Sequence, residues 1–169
     1  MKNLALQRDE RSVSLPVQRS APADLSGRLS NVPNFQRVED RQFLAMQGAY
    51  ARTGGLAFGD DVAQLLRRRS EQPISTLAHW IVARTIVTFE WRSQTLIPLF
   101  QFDPLDMSRR AGTVEVIREL SDIFDDWELA SWFAQPNVWL DDATPVDAIR
   151  DDQPRVLQAA RVDRFIACA

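Results

Sequence analysis

The chain carries few of the side chains that perform enzyme chemistry. His79 is the single histidine and Cys168 the single cysteine, so neither can share a metal ion with a second imidazole or thiol. The acidic pairs Asp125-Asp126 and Asp151-Asp152 have the side chains for acid–base work or cation binding. Each pair precedes an expected helix start, however, where a carboxylate caps free backbone N–H groups. Because the sequence also lacks a glycine-rich phosphate loop and a G-x-S-x-G motif, we expect no catalytic residues, no metal ligands, no cofactor and no enzyme activity.

The bulk composition indicates an ordinary globular chain. Its 169 residues suffice for one domain or two very small ones, and 45% of them are hydrophobic, which is enough for a core. The longest apolar runs, such as Ile81-Val82-Ala83, fall far short of the roughly 18 residues of a membrane span. The first residues lack the apolar stretch of a secretory signal. Together with the lone cysteine, these features predict a cytoplasmic protein with no membrane partner.

Charge is distributed unevenly along the chain, whose net charge is −3. Residues 1–50 hold seven basic and five acidic side chains, residues 51–102 hold six and four, and residues 103–169 hold seven and fourteen. The excess of basic side chains in residues 1–102 and of acidic side chains in residues 103–169 suggests two surfaces with different partners. The alternative is that the helices of the back half simply expose acidic faces to solvent, and the sequence leaves both open.

Sequence patterns divide the chain into three parts. Residues 1–35 are predicted to be a flexible tail, because serine and proline recur there without an apolar period. Residues 36–103 are predicted to form a helix-turn-helix-like unit with a β-hairpin wing, and residues 104–169 a compact helical domain. The expected fold is therefore mainly α, within the α+β class.

The middle part is predicted to contain a helix pair and two strands, after a first helix over about residues 35–52 that Gly54-Gly55 ends. Asp60 is expected to cap the first helix of the pair, and Ser75 to start the second. The expected buried positions are Val62, Ala63, Leu65 and Leu66 on one helix and Ile74, Leu77, Ala78, Ile81 and Val82 on the other. Strands are predicted over residues 86–91 and 95–102, joined by a short turn. Pro98 predicts an edge or bulged position for the second strand, since proline cannot donate to a sheet.

Capping signals organise the C-terminal part. A helix is predicted over residues 108–124. Three further helix starts are predicted at Asp125-Asp126, at Thr144-Pro145 and at Asp152 with Pro154. The final helix is expected to run to about Ile166. Its expected inner positions are Val156, Leu157, Ala160 and Phe165.

The most distinctive segment is residues 132–140, which read Trp-Phe-Ala-Gln-Pro-Asn-Val-Trp-Leu. The pattern predicts a helix that Pro136-Asn137 stops, followed by a tight turn. Thr144-Pro145 and the run Val156-Leu157-Gln158-Ala159-Ala160 come next. In this order the motifs resemble the toxin-binding domain of the Xre/MbcA/ParS antitoxins, over about residues 104–166. Where that family has glycines, this chain has Asp141-Asp142 and Asp151-Asp152, and aspartate also tolerates turns.

Residues 58–103 are similar to the winged helix-turn-helix unit that precedes this domain in some related proteins, and residues 98–103 resemble the end of its wing. The resemblance implies a bacterial antitoxin that binds its toxin, often a NAD-consuming RES-domain protein, through the C-terminal region. It also implies a homodimer whose helix-turn-helix unit binds operator DNA of its own operon. The candidate partner-binding residues are Trp132, Pro136, Asn137, Trp139, Leu140, Arg161, Arg164 and Phe165.

Trp139 is the best candidate for an exposed anchor among the five tryptophans, because it follows the Pro136-Asn137 turn. Tryptophan buries a large area, so most of the others are expected in the core. Burial of Trp139 as a plug is the alternative, and the sequence leaves it open.

The sequence offers few side chains that are suited to DNA binding. The expected recognition helix, from Ser75 to Arg84, offers few groups for base edges or phosphates. Three arginines are expected in the last turn of the helix before it, where cations favour the helix dipole. The candidate DNA-binding residues are Arg67, Arg68, Arg69, Ser75, Thr76, His79, Arg84 and Arg92. The alternative is a helix-turn-helix scaffold that serves packing or dimerisation and does not bind DNA.

Three functional hypotheses result. The first is an antitoxin that neutralises a toxin by covering its active site, which requires no chemistry from the antitoxin itself. The second is a DNA-binding regulator of plasmid or phage type whose C-terminal half dimerises. The third is an adaptor that binds some other protein.

Overall fold

The structure, a computed structural model, describes residues 34–169. The tail predicted over residues 1–35 lies outside the described residues except for its last two positions. Helix α1, Asn34–Ala51, agrees with the helix predicted over residues 35–52. Gly54 and Gly55 follow it with φ of +111° and +79°, and the Gly55 N–H donates to the Tyr50 carbonyl at 2.9 Å. Glycine adopts this left-handed backbone without steric cost, and the helix ends there as predicted.

The first helix of the predicted pair, α2, spans Gly59–Leu66 and differs from the prediction at both ends. Phe58 occupies the cap position, so the prediction that Asp60 caps this helix is wrong. Asp60 lies instead in the first turn, where its negative charge favours the helix dipole. The three arginines at positions 67–69 follow the end of the helix instead of lying in its last turn. Leu65, expected to be buried, is exposed.

The second helix, α3, spans Pro73–Val82 and begins two residues before Ser75, with proline at a first-turn position where its missing N–H costs nothing. Its buried residues are Leu77 and Trp80. Ile74 and Val82 are 71% and 83% exposed, so the prediction that they face the core is wrong, as it is for Ala78. The helix is apolar on several sides, and its periodicity alone therefore points to no single buried face.

Three antiparallel strands form one sheet in the order β1-β3-β2, with β1 at Leu56–Phe58, β2 at Phe89–Trp91 and β3 at Gln94–Pro98. β1 was not predicted, and its pairing makes β3 the central strand. The prediction that Pro98 requires an edge or bulged strand is therefore wrong. Pro98 is the last residue of β3, so its missing N–H affects only the end of the ladder. A two-residue turn with positive φ at Arg92 and Ser93 joins β2 to β3, which is the backbone that tight hairpins favour.

The strand predicted over residues 86–91 is shorter, because a side chain takes the place of a neighbouring strand. The Val87 N–H donates to Oε1 of Gln101 at 2.7 Å, and Nε2 of Gln101 donates to the Val87 and Pro98 carbonyls at 2.9 and 2.8 Å. Gln101 is 1% exposed and lies in a 3₁₀ turn, Leu99–Gln101, that replaces the end of the predicted second strand. The buried backbone is thus satisfied without further β-structure.

The remaining helices are α4, Ala111–Leu120, α5, Asp126–Ala134, α6, Pro145–Ala148, and α7, Gln153–Ala167. α4 is shorter than the predicted span of 108–124. The three predicted caps are confirmed. Asp125 forms a capping box with Glu128, Thr144 accepts from the Asp147 N–H, and Asp152 accepts from the Arg155 N–H. Phe165, predicted to face inward, is exposed.

Residues 34–169 form one compact unit. Its larger hydrophobic cluster joins Tyr50 of α1 and Phe89 of β2 to Phe133 of α5 and Val156 of α7. A smaller cluster lies between α2, α3 and the sheet. The predicted boundary between residues 103 and 104 falls within this unit, and the larger cluster crosses it. The fold class, mainly helical with a small antiparallel sheet, is confirmed. Over the described range, no helix is both long and apolar enough to cross a bilayer.

Candidate partner-binding site

Asp163 of α7 connects three of the predicted partner-binding residues. Its Oδ2 accepts the indole N–H of Trp132 and the side-chain N–H of Asn137, each at 2.8 Å. Its Oδ1 accepts the indole N–H of Trp139 at 3.0 Å. One carboxylate thus ties the end of α5, the following turn and the final helix together with charge-assisted hydrogen bonds, which are stronger than bonds between neutral groups.

Asn137 organises the turn between α5 and α6. Its Oδ1 accepts the Trp139 N–H at 2.9 Å and caps the 3₁₀ turn Val138–Leu140. Its backbone carbonyl accepts from Leu140 and Asp142, and its own N–H donates to Ala143. Asparagine suits this role because one short side chain offers both an acceptor and donors. Asn137 is 9% exposed, so it shapes the site without presenting much surface of its own.

Two aspartates close this turn in the conformation that glycine usually supplies. Asp141 and Asp142 have φ of +56° and +61°, which lies in the left-handed region. The Asp141 carboxylate accepts from Arg155 of α7 at 2.7 Å, and this hydrogen bond and charge raise the pKa of Arg155 above its ordinary value. The backbone at Asp141 and Asp142 is therefore of the kind that glycine adopts, and an ion pair fastens it to α7.

Three apolar side chains on the two segments that Asp163 joins are exposed. Trp139 is 45% exposed, although its indole N–H is hydrogen-bonded. It is therefore neither the fully exposed anchor nor the buried plug that the sequence left as alternatives. Val138 beside it is 72% exposed, and Ile166 lies three residues after Asp163 on α7 and is also exposed. We call Val138, Trp139 and Ile166 the Trp139 patch. Exposed apolar side chains grouped in this way are typical of interaction surfaces.

The other predicted partner-binding residues separate into different environments. Leu140 is 3% exposed and belongs to the core, whereas Pro136 is exposed in the turn. Phe165 is exposed, and it lies two positions after Asp163 and therefore projects from another side of α7. Arg161 and Arg164 both pair with Glu119 of α4, at 3.6 and 3.0 Å. The two arginines fasten α7 to α4, and their remaining surface lies apart from the Trp139 patch.

Most of the other tryptophans were predicted in the core; Trp80 is buried, whereas Trp91, Trp127 and Trp132 are half-buried and pack against the core. Trp91 stacks on Phe43 with centroids 4.4 Å apart, and Trp127 packs edge-on against Phe89. Trp132 makes an edge contact with its neighbour Phe133 at 5.0 Å. Trp80 carries the Arg109 guanidinium over its ring at 4.7 Å. Desolvation, together with the nearby charges of Arg118 and Arg69, lowers the pKa of Arg109.

Several predicted DNA-binding residues are engaged in folding contacts. Arg84 donates to the Ser121 and Phe124 carbonyls in the turn between α4 and α5 and pairs with Asp126 at 3.0 Å. Arg92 pairs with Asp40 and lies over the Trp91 ring. Arg69 pairs with Asp106, and the Thr76 hydroxyl bonds the Gln72 carbonyl. These groups stabilise the fold where they are.

The rest of that set stays available at the surface. Arg67 and Arg68 are exposed after α2, and their side chains form no ion pair with another residue of the described range. Ser75 and His79 are exposed one turn apart on α3. The same exposed side of α3 carries Ile74, Ala78 and Val82. The face that would enter a DNA groove is therefore largely apolar and uncharged.

Asp163 and Glu119 are the residues that the sequence analysis missed. Each acts through partners at least 24 positions away, and no local pattern marks such a carboxylate. Comparisons of the chain with protein-family models, with curated proteins and with solved structures find no match.

Proposed function

We propose that this chain is the antitoxin of a bacterial toxin–antitoxin pair and that it neutralises a cognate toxin by direct binding. The observation that carries the proposal is the Asp163 network, which holds residues 132–140 against α7 while the Trp139 ring stays partly exposed. A tryptophan fixed before binding loses little side-chain entropy in a complex, and tryptophan is enriched among the residues that dominate binding energy.

Acidic side chains around the Trp139 patch favour a partner whose contact surface carries positive charge. Asp142 is exposed beside it, Asp141 is exposed but paired with Arg155, and residues 103–169 hold fourteen acidic and seven basic side chains. Complementary charge speeds association and excludes wrong partners. An enzyme that consumes NAD must bind a diphosphate, for which arginine, lysine and backbone N–H groups are the usual ligands. An acidic, aromatic surface therefore fits the entrance of such an enzyme, in line with the RES-type toxin that the resemblance implies.

Covering an active site requires shape and charge but no reaction from the antitoxin. The proposed role is accordingly a binding role without enzyme activity or cofactor, and we place the pair in the cytoplasm, where NAD is consumed.

Expression of the adjacent reading frame, alone and together with this chain, tests the proposal. We expect growth arrest from the neighbour alone and relief by co-expression. Trp139→Ala should weaken relief, whereas the matched control Leu44→Ala, an exposed apolar residue on α1, should retain it. A neighbour that is harmless alone, or an arrest that this chain does not relieve, would show that the proposal is wrong.

A second candidate function is repression of the chain's own operon by a homodimer, and it applies also if no toxin is bound. Exposed Arg67 and Arg68 beside the α2–α3 pair favour it, because guanidinium groups bind backbone phosphates. The exposed stripe of Ile74, Ala78 and Val82 suits contact with a second copy better than contact with base edges. A shift assay on the chain's own promoter should show binding that weakens with salt, and absence of a shift argues against this function.

A further inference from the structure

A cavity of about 690 Å³ opens between the end of α2 and the corner that joins α6 to α7. Its walls come from the turn after α1, the end of α2, the segment after β3, the start of α4 and the α6–α7 corner. The volume lies within the range of drug-sized ligand sites, roughly 300–1,000 Å³. None of the residues discussed for partner or DNA binding lines it except Arg68.

The floor of the cavity is apolar and concave. Its lining includes Phe100, Phe102, Met107, Val146 and Ile149, each of them at most 9% exposed. These side chains belong to both hydrophobic clusters, so the cavity lies where the two clusters approach each other. A ligand that fills it therefore needs an apolar body.

The rim of the cavity is cationic. Arg52, Arg68, Arg110 and Arg150 line it, against a single carboxylate, Asp106, which already pairs with Arg69 at 3.0 Å. Arg52 is held by Asp147, and Nε of Arg110 donates to the Phe102 carbonyl at 3.1 Å.

Two of these arginines have unused donors. Within residues 34–169, neither Arg68 nor Arg150 forms a side-chain hydrogen bond or ion pair, and both are exposed. A guanidinium group binds carboxylates, phosphates and sulfonates through two parallel N–H donors. An excess of positive charge around an apolar cavity is complementary to a ligand with an anionic head and an apolar body.

We propose that this cavity, which we call the arginine-rimmed cavity, binds an amphipathic organic anion, with its head between Arg68 and Arg150 and its apolar body on Phe100, Phe102 and Ile149. The inference does not depend on the antitoxin function. A small molecule suits the site better than an acidic segment of a partner protein, because Thr113 is the one polar side chain among the buried residues that line the cavity and a peptide backbone needs more partners than that.

The fluorescent sulfonate 8-anilinonaphthalene-1-sulfonate tests the inference, with uncharged N-phenyl-1-naphthylamine as the matched probe. With the full chain we expect saturable binding of one sulfonate molecule per chain and displacement by laurate. Arg68→Gln combined with Arg150→Gln should weaken sulfonate binding by about tenfold or more. The control Arg67→Gln removes an exposed arginine that does not line the cavity, and it should change the dissociation constant by less than about twofold.

The uncharged probe measures the contribution of the apolar body of the ligand without that of its anionic head. Its binding should be the same in the double variant and the unmodified chain, which also shows that the double variant keeps its cavity. Equal sulfonate binding by the double variant and the unmodified chain would overturn the proposal, because the probe would then occupy another surface such as the Trp139 patch. Displacement by an acidic peptide but not by laurate would overturn it in favour of a protein segment.

Discussion

Asp163 accepts the indole N–H of Trp139 at 3.0 Å while also holding Trp132 and Asn137. The turn that carries the exposed tryptophan is therefore fixed to the last helix by one carboxylate. The contact makes the orientation of the Trp139 patch depend on a residue outside it. A variant at position 163 should therefore affect mainly the stability of this surface, and a variant at position 139 mainly its affinity for a partner.

Asp163→Ala should destabilise the chain, because it leaves the N–H groups of Trp132 and the buried Asn137 without their acceptor. Hydrogen bonds to a charged group contribute about 1.5–3 kcal/mol each, so we expect a loss of about 2–4 kcal/mol in the free energy of unfolding. Urea denaturation monitored by tryptophan fluorescence measures it. Asp122→Ala, at an exposed carboxylate without a side-chain partner in the described range, is the control and should change stability by less than about 0.5 kcal/mol. Equal losses in both variants would show that the network contributes little.

Trp139→Ala should weaken binding of the proposed toxin more than it lowers the stability of the chain. Its ring is partly exposed and donates one hydrogen bond, so we expect a loss of only about 1 kcal/mol in stability. Truncation of an interface anchor costs about 2 kcal/mol or more, which is roughly 30-fold in the dissociation constant for the proposed toxin. Calorimetric titration of the toxin checks this value. Phe165→Ala removes an exposed aromatic ring from another side of α7, and it should leave the affinity nearly unchanged if the Trp139 patch is the contact surface.

Local signals allowed much of the helical part to be predicted. Asp125, Thr144 and Asp152 each bond a backbone N–H three positions later, and the sequence shows both ends of such a contact. The residues that position the candidate site act over longer distances. Asp163 reaches back 31 positions to Trp132, and Arg84 reaches forward 42 to Asp126, so no spacing rule marks either. The face of α3 was assigned wrongly for a different reason, because Ile74 and Val82 are as apolar as the buried Leu77.

Tyr50 should make stability depend on pH in the alkaline range. Its ring is fully buried, its hydroxyl donates to the Ala130 carbonyl at 2.7 Å, and desolvation raises its pKa well above the ordinary value near 10. A phenol with a raised pKa in the folded state binds its proton more tightly there than in the unfolded chain. The stability due to this proton is fully present below pH 10 and is lost as the pH rises above it.

Tyr50 is the only tyrosine, so tyrosinate absorbance in the near ultraviolet reports on this side chain alone. We expect no titration near pH 10 in the folded chain and ionisation only together with unfolding. Tyr50→Phe should lower stability at neutral pH by about 1 kcal/mol through the lost hydrogen bond, and it should reduce the decline above pH 10. A normal titration in the folded chain would contradict the buried phenol.

Gln101→Leu should be among the most destabilising single changes. The amide bonds both the N–H and the carbonyl of Val87 as well as the Pro98 carbonyl, inside a buried region. Leucine leaves these backbone groups unsatisfied, and each orphaned buried group costs about 1–3 kcal/mol, so we expect a loss of at least about 3 kcal/mol. Thermal or urea unfolding measures it. Gln64→Leu changes an exposed glutamine of α2 and should lie within about 0.5 kcal/mol of the unmodified chain.

Arginine variants should distinguish structural cations from those available to DNA. Arg84→Ala removes a side chain that holds the Phe124 carbonyl and Asp126, so it should lower stability by about 1–3 kcal/mol. The pair Arg67→Ala and Arg68→Ala removes exposed cations and should leave unfolding unchanged within about 0.5 kcal/mol. If the chain represses its own operon, the pair should weaken promoter binding and lower the slope of log affinity against log salt by roughly 1–2. An unchanged slope in a chain that does bind its promoter would exclude these two arginines as phosphate contacts and move the search to Arg92 and the hairpin turn.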